Sequence, residues 1–322
     1  MAFSLGGLVA YTEENKADLI MKAILGAKTL GIPGIDIRYG VKSGTKIPVL
    51  ESTMAYQSGT GCAFASSGTT TLTQITLSTN PIVVQEAICE QDLEAYFTQK
   101  YLPDSALAEE SDIDKTIIER KIMNVAKQNE QMIWQGNTTY TNSTVLKQIN
   151  GWLYYVLNNG SPVNAANQGT TISTSNVRTI IEQMWSVMPR AAMWNESTYC
   201  FVGMDTFLLL LQKLTNDNLF HYVFDDAFKN NKWEITYPGT NMKITAVPGM
   251  NNDNPVDTGS LPSTVSNRIL MTYASNLLYG TDLTSDSEEL ETWYSKDNRA
   301  LRFHMRFRAG TAIKFPEHCV IY

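Results

Sequence analysis

The chain has 322 residues, of which 43% are hydrophobic and 18% charged, so it exceeds one ordinary core and should divide into two or more lobes. The charge share is below the usual quarter, which leaves much of the polar surface neutral and suited to burial against copies of itself. A formal net charge of −7 argues against a sequence-reading nucleic-acid binder, which needs a basic face.

Membrane and secretory signals are absent from the pattern. No apolar run approaches the ~20 residues that span a bilayer, and the first ten residues lack the basic n-region of a secretory signal. Cys62, Cys89, Cys200 and Cys319 are far apart and form no C-x-x-C pair, which fits reduced thiols better than a disulfide framework. Sequons at Asn137, Asn142 and Asn195 are read as chance matches.

The first predicted element is an amphipathic helix over 13–30. Leu19, Ile20, Ala23, Ile24, Ala27 and Leu30 fall at three-to-four spacing, and Gly31 with Pro33 ends it. The helix could pack on its own domain or dock as an arm on a neighbouring subunit through Leu19 and Ile24; with no second apolar segment next to it in sequence, the arm is the preferred reading. Residues 35–88 then change to short strands (35–41, 46–50, 69–77, 82–84) between Gly/Ser/Thr-rich turns. Such strands have weakly specified register and little core of their own. They need something to lie on.

Leu93, Tyr96, Phe97 and Tyr101 predict a short helix ended at Pro103. Ser111-Asp112 should cap a long helix over 113–135, roughly 34 Å at 1.5 Å per residue, with Ile113, Ile117, Ile118, Ile122, Val125, Met132 and Ile133 on one face. The middle, 151–250, alternates strand and helix. Ser175 is the expected cap of a helix stopped by Pro189, and Asp205 the cap of a helix over 206–214, whose four consecutive leucines predict cover on most sides. The stretch 251–266 reads as a long surface loop.

The last 54 residues are the most informative. Ile269 to Tyr273 is apolar, then come Asn276-Leu-Leu-Tyr-Gly-Thr-Asp282, an acidic stretch from Asp286 to Glu291, a strand over 301–308, and the closing Val320-Ile-Tyr322. From Arg302 to Arg308 the chain alternates strictly, with Phe303, Met305 and Phe307 on one face and Arg302, His304, Arg306 and Arg308 on the other. A turn at Asp297-Asn298 would set Trp293 opposite Arg302, Thr292 opposite Phe303, Glu291 opposite His304, Leu290 opposite Met305 and Glu289 opposite Arg306. A slip of one residue would invert both faces.

This order of elements resembles the major capsid proteins of tailed bacteriophages, whose architecture is the Hong Kong 97 capsid fold. The resemblance implies an α+β chain with an N-terminal arm (1–34), an extended β-hairpin loop with flanking strands (35–88), a peripheral domain (89–150 and 269–314) holding the spine helix, and an axial domain (151–268 and 315–322). It implies self-assembly into hexamers and pentamers of an icosahedral head shell around double-stranded DNA, contacted without sequence specificity. The implied partners are scaffolding and portal proteins, with decoration or protease proteins of the same phage. The shell would form in the bacterial host cytoplasm, with no membrane contact. Lys296, Arg299 and Arg308 would meet carboxylates of neighbouring subunits around a threefold contact.

The alternatives are an encapsulin-type nanocompartment shell and a carboxylate-based hydrolase. Chemistry-bearing motifs are scarce: there is no G-x-S-x-G elbow, Walker loop or H-E-x-x-H, and Gly59-Thr-Gly61 lacks the third glycine of a dinucleotide site. Asp225-Asp226 and Glu288-Glu289 have no His, Tyr or Lys at a motif spacing. His304, His318 and Cys319 would ligate a metal only if the fold supplied a fourth group. No catalytic residue, cofactor or metal is therefore predicted.

Overall fold

The structure is a computed structural model that describes residues 11–57, 67–89, 110–141, 143–158, 163–164, 170–194, 198–217, 233–237, 239–251, 268–282 and 289–322. The expected short helix at 93–101, the turn at 58–61, the loop beyond Asn251, Asp225-Asp226 and Glu288 lie outside them.

One lobe is built on the alternating C-terminal strand. β12 (Ala300–Ile313) pairs antiparallel with β4 (Asn80–Cys89) along one side. On the other side lie β11 (Glu289–Ser295) and then β10 (Leu277–Thr281), with β1 (Asp36–Arg38) parallel to β10 at the far edge. Glu291 pairs with His304, Leu290 with Met305, Thr292 with Phe303 and Trp293 with Arg302, the register that the alternation predicts. Leu301, Phe303, Met305 and Phe307 are buried, whereas Arg302, His304, Arg306 and Arg308 are only half-buried. The turn differs in detail: 296–299 form a four-residue loop, with Arg299 at φ 45. Among the described residues no ion pair joins Glu291 to His304, so burial of alternate side chains holds the register.

Two helices cover the buried face of this sheet. α1 (Lys16–Leu25) is shorter than predicted and is followed by a 3-10 turn, Lys28–Gly31. Its apolar stripe packs on Ile118, Ile122 and Val125 of α2 (Glu110–Gln135), inside the main core of the same chain. This corrects the reading of Leu19 and Ile24 as contacts to a neighbour, because at 2% and 0% exposure they have no surface left to offer. α2 begins ahead of the expected Ser111-Asp112 cap, and its 26 residues span about 39 Å. One face of it is buried over most of its described length, but from Asn129 to Gln135 it is buried on every side.

That fully buried end is where the second lobe begins. Trp134 meets Trp152 of α3 (Trp152–Asn158) edge-on at 5.0 Å and Phe201 at 5.1 Å. Phe201 lies in β6 (Thr198–Val202), inside a six-stranded sheet. β6 is flanked by β8 (Lys243–Ala246), which pairs with β7 (Glu234–Thr236), and by β9 (Leu270–Tyr273). β13 (Val320–Ile321) then joins β9 to β5 (Val163–Asn164). The C-terminal Tyr322 is 4% exposed, and its hydroxyl donates to the Thr170 carbonyl at 2.8 Å.

α4 (Val177–Val187), the short α5 (Arg190–Met193) and α6 (Met204–Asn216) complete this lobe's own core. Two local expectations are corrected. Asn176 rather than Ser175 stands at the start of α4, and the first amide of α6, from Met204, donates to Asn251 Oδ1 at 2.5 Å rather than being served by Asp205. The leucine run is not covered on most sides either, since Leu210 is buried and Leu208 is 46% exposed. A helix turns each successive residue by ~100°, so four leucines in a row cannot all face one core.

Candidate functional site

β2 (Thr45–Thr53) and β3 (Thr69–Leu77) form a two-stranded hairpin apart from both sheets. They pair from Thr45 with Leu77 out to Thr53 with Thr69. Val49 and Leu77 are the only residues of the two strands that are buried. Leu50 and Leu72 face each other directly across the strands and are 63% and 66% exposed, and Met54 beyond them is 90% exposed. A lone hairpin is marginal in water, so its exposed apolar pair marks a surface built to be covered.

The hairpin root is fastened to the first lobe by a gap in the sheet. Gly280 and Gly310 pair directly across β10 and β12. A Cβ on Gly310 would lie 2.1 Å from the Ser78 carbonyl oxygen, and one on Gly280 would lie 2.8 Å from Leu77 Cδ2. Only the absence of side chains there lets the returning strand lie on the sheet. Leu77 and Val41 fill a small core with Leu278 and Ala312. The Thr79 hydroxyl donates to the Val41 and Lys42 carbonyls at 2.8 Å, and the Val41 amide donates to Thr281 at 3.2 Å.

Arg308 also serves this root, because its guanidinium donates to the Lys42 carbonyl. The alternation of β12 gave no sign of this partner 266 residues away. Lys296 and Arg299 stand exposed on the β11–β12 loop and form no ion pair among the described residues.

Buried polar groups cluster where α2 passes under the second lobe. Glu130, 4% exposed, accepts from the Thr29 amide at 2.9 Å and from the Thr29 hydroxyl, which in turn accepts from Trp134 Nε1 at 2.8 Å. Burial pushes the Glu130 carboxyl above the usual carboxylate range, opposed by the Thr29 and Gly249 hydrogen bonds and by nearby Lys28. Gln135 Nε2 donates to the Gly249 and Asn251 carbonyls at 2.5 and 2.8 Å. These bonds tie the N-terminal segment, the long helix and the second lobe together. None of this was legible from periodicity, which treats positions 129–135 as a continuing amphipathic helix.

The imagined metal cluster is not the one the fold assembles. His304 stands on β12, while Cys319 is buried beside Asn276 and Thr272. His318 instead comes within 4.8 Å of Glu51 and Glu317; its Nδ1 is 3.1 Å from the Tyr273 hydroxyl and its ring stacks on Phe315. Both carboxylates are exposed. Burial pushes the Cys200 and Cys319 thiols up to about 12, so both stay protonated and unreactive at neutral pH. Among the described residues no helix is long and apolar enough to cross a membrane.

No protein-family model matches the sequence, and no curated protein matches it. Solved structures do match in fold. A chain of the satellite phage P4 procapsid, a structure that includes the size determination (Sid) protein, is 12% identical over 95% of this chain and 89% of its own, with a TM-score of 0.55. A chain of Gordonia phage Cozz is 13% identical over 89% of this chain and 84% of its own, also at 0.55. A chain from the capsid of an empty GTA particle is 12% identical over 93% of this chain and 88% of its own, at 0.52. At these identities the likeness is one of fold, and the fold is the mixed α+β architecture of phage capsid shells.

Proposed function

We propose that this chain is the major shell subunit of a tailed-phage head, assembling into hexamers and pentamers that enclose double-stranded DNA. The observation that carries this reading is the β2–β3 hairpin, whose Leu50, Leu72 and Met54 stand exposed, on a fold shared with phage capsids. A protein that worked alone would gain nothing from exposing Leu50, Leu72 and Met54. A subunit gains a contact repeated around every ring. In this reading the five-stranded lobe with α2 acts as the peripheral domain and the six-stranded lobe as the axial domain. Lys296 and Arg299 are the side chains offered to neighbours, while Arg308 holds the hairpin root. Scaffolding and portal proteins of the same phage would direct assembly in the host cytoplasm.

Negative-stain microscopy of the concentrated protein tests the reading. Icosahedral shells, or rings of six and five, are the expected result, and nuclease-protected DNA inside shells from infected cells would separate a phage head from a cellular nanocompartment. A monodisperse monomer at every concentration would overturn it.

A further inference from the structure

Glu51 of β2 meets the second lobe away from the hairpin root. One oxygen of its carboxylate, one of Glu317 and an imidazole nitrogen of His318 all lie within 4.8 Å of one another. Neither carboxylate forms an ion pair or hydrogen bond with a described residue. Two like charges held this close repel unless a cation stands between them.

The lobe side of this cluster is rigid. Glu317 and His318 stand on the 3-10 turn Pro316–His318, and the buried Asn276 clamps the residue ahead of it. Asn276 Oδ1 accepts from the Phe315 amide at 2.7 Å, and its Nδ2 donates to the Phe315 carbonyl at 2.9 Å. The His318 ring is fixed in turn by the Tyr273 hydroxyl, 3.1 Å from Nδ1, and by the Phe315 ring stacked at 5.1 Å. Burial first, and then Cys319, Glu317 and Glu51, push the Tyr273 hydroxyl up, so it stays a protonated partner of the imidazole. Histidines that ligate metals are commonly oriented by such a polar neighbour.

We propose that Glu51, Glu317 and His318 bind a zinc-type divalent cation, which ties the β2–β3 hairpin to the second lobe of its own chain. Carboxylates alone would favour a hard cation, and the imidazole moves the preference to the zinc class. Three protein ligands with water completing the shell is a common zinc arrangement. Drawing the three groups in to bonding distance takes side-chain movement only, which the two exposed glutamates can supply. The ion would cancel the carboxylate repulsion and add a second tie beyond the root, setting the direction in which Leu50 and Leu72 are presented. The inference does not depend on the shell reading, since all three ligands belong to one chain.

Zinc titration of the full chain by calorimetry tests it, in a C62S/C89S background that leaves the buried Cys200 and Cys319 as the only thiols. The expected result is saturable binding that Glu51→Gln, Glu317→Gln and His318→Asn each weaken. Loss of an outer partner of a metal ligand costs about 10- to 100-fold in affinity, so loss of a ligand should cost at least as much. Both glutamine changes lie on exposed side chains, and urea unfolding without zinc should be unaltered by them. Hydrogen exchange of 45–53 should slow when zinc is added to the parent but not when it is added to Glu317→Gln, whose change is on the other side of the tie. No saturable binding at millimolar zinc, or equal affinity in the parent and the two glutamine variants, overturns the proposal. Affinity lost in Glu317→Gln but kept in Glu51→Gln would put the ion on the lobe alone and overturn the tie. The expected zinc binding in a chain that stays monomeric at every concentration would uphold the site while overturning the shell reading.

Discussion

Among the described residues, the antiparallel hairpins β11–β12 and β2–β3 are held in opposite ways. In β11–β12 every second side chain of β12 from Leu301 to Arg308 is buried, and the register follows from which residues are apolar. In β2–β3 two residues are buried, the base is fastened by the Gly280–Gly310 gap and Thr79, and farther out Glu51 lies beside Glu317 and His318. The first hairpin is specified by its own core. The second depends on its root and on whatever covers Leu50 and Leu72.

Truncation should separate the two most sharply. Phe303→Ala removes a ring that is 3% exposed and should lower subunit stability by about 3 to 5 kcal/mol. Leu72→Ala, on an open strand, should change it by less than about 0.5 kcal/mol and weaken assembly instead. Urea unfolding of unassembled subunits, with sedimentation of the same samples, checks both. A large stability loss from Leu72→Ala would mean that the hairpin is part of the subunit core.

Ile24→Ala falls on the same side as Phe303→Ala. Because Ile24 is fully buried against the chain's own long helix, the expected cost is about 2 to 5 kcal/mol in the isolated subunit. Weakened assembly with unchanged urea stability would restore the docking-arm reading.

Gly310→Ala probes the root alone. The new Cβ meets the Ser78 backbone, so the returning strand must shift, at a cost of about 1 to 3 kcal/mol. Faster hydrogen exchange at 77–80, with 300–307 unaffected, is the expected signature. Equal loosening of both would show that the two hairpins are coupled.

The smallest effect concerns Glu130. Its carboxyl is raised by burial, so the folded chain keeps that proton to higher pH than the unfolded chain does. The stability contribution is fully present below the ordinary carboxylate pKa and is lost as pH rises from there through the folded value. Glu130→Gln should flatten this part of the stability profile, measured by urea unfolding between about pH 4 and 7. An unchanged profile would place the pH dependence on other carboxylates.

The sequence by itself determined what depends on near neighbours in the chain. The β11–β12 register was legible because turn position and alternation lie within twenty residues of each other, and α2 because its apolar period persists along its length. The packed C-terminal strand was legible for a similar reason, as an apolar stretch with no polar residue to break it. What the tertiary structure alone decided are pairings across long separations. α1 finds its cover on α2 about a hundred residues away, Asn251 caps α6, Thr29 holds Glu130, and Arg308 turns from the sheet face to the Lys42 carbonyl. Periodicity states that a face will be buried, but burial needs two faces. Local pattern does not show which one answers, because the choice among faces far apart in the chain is made by side-chain packing.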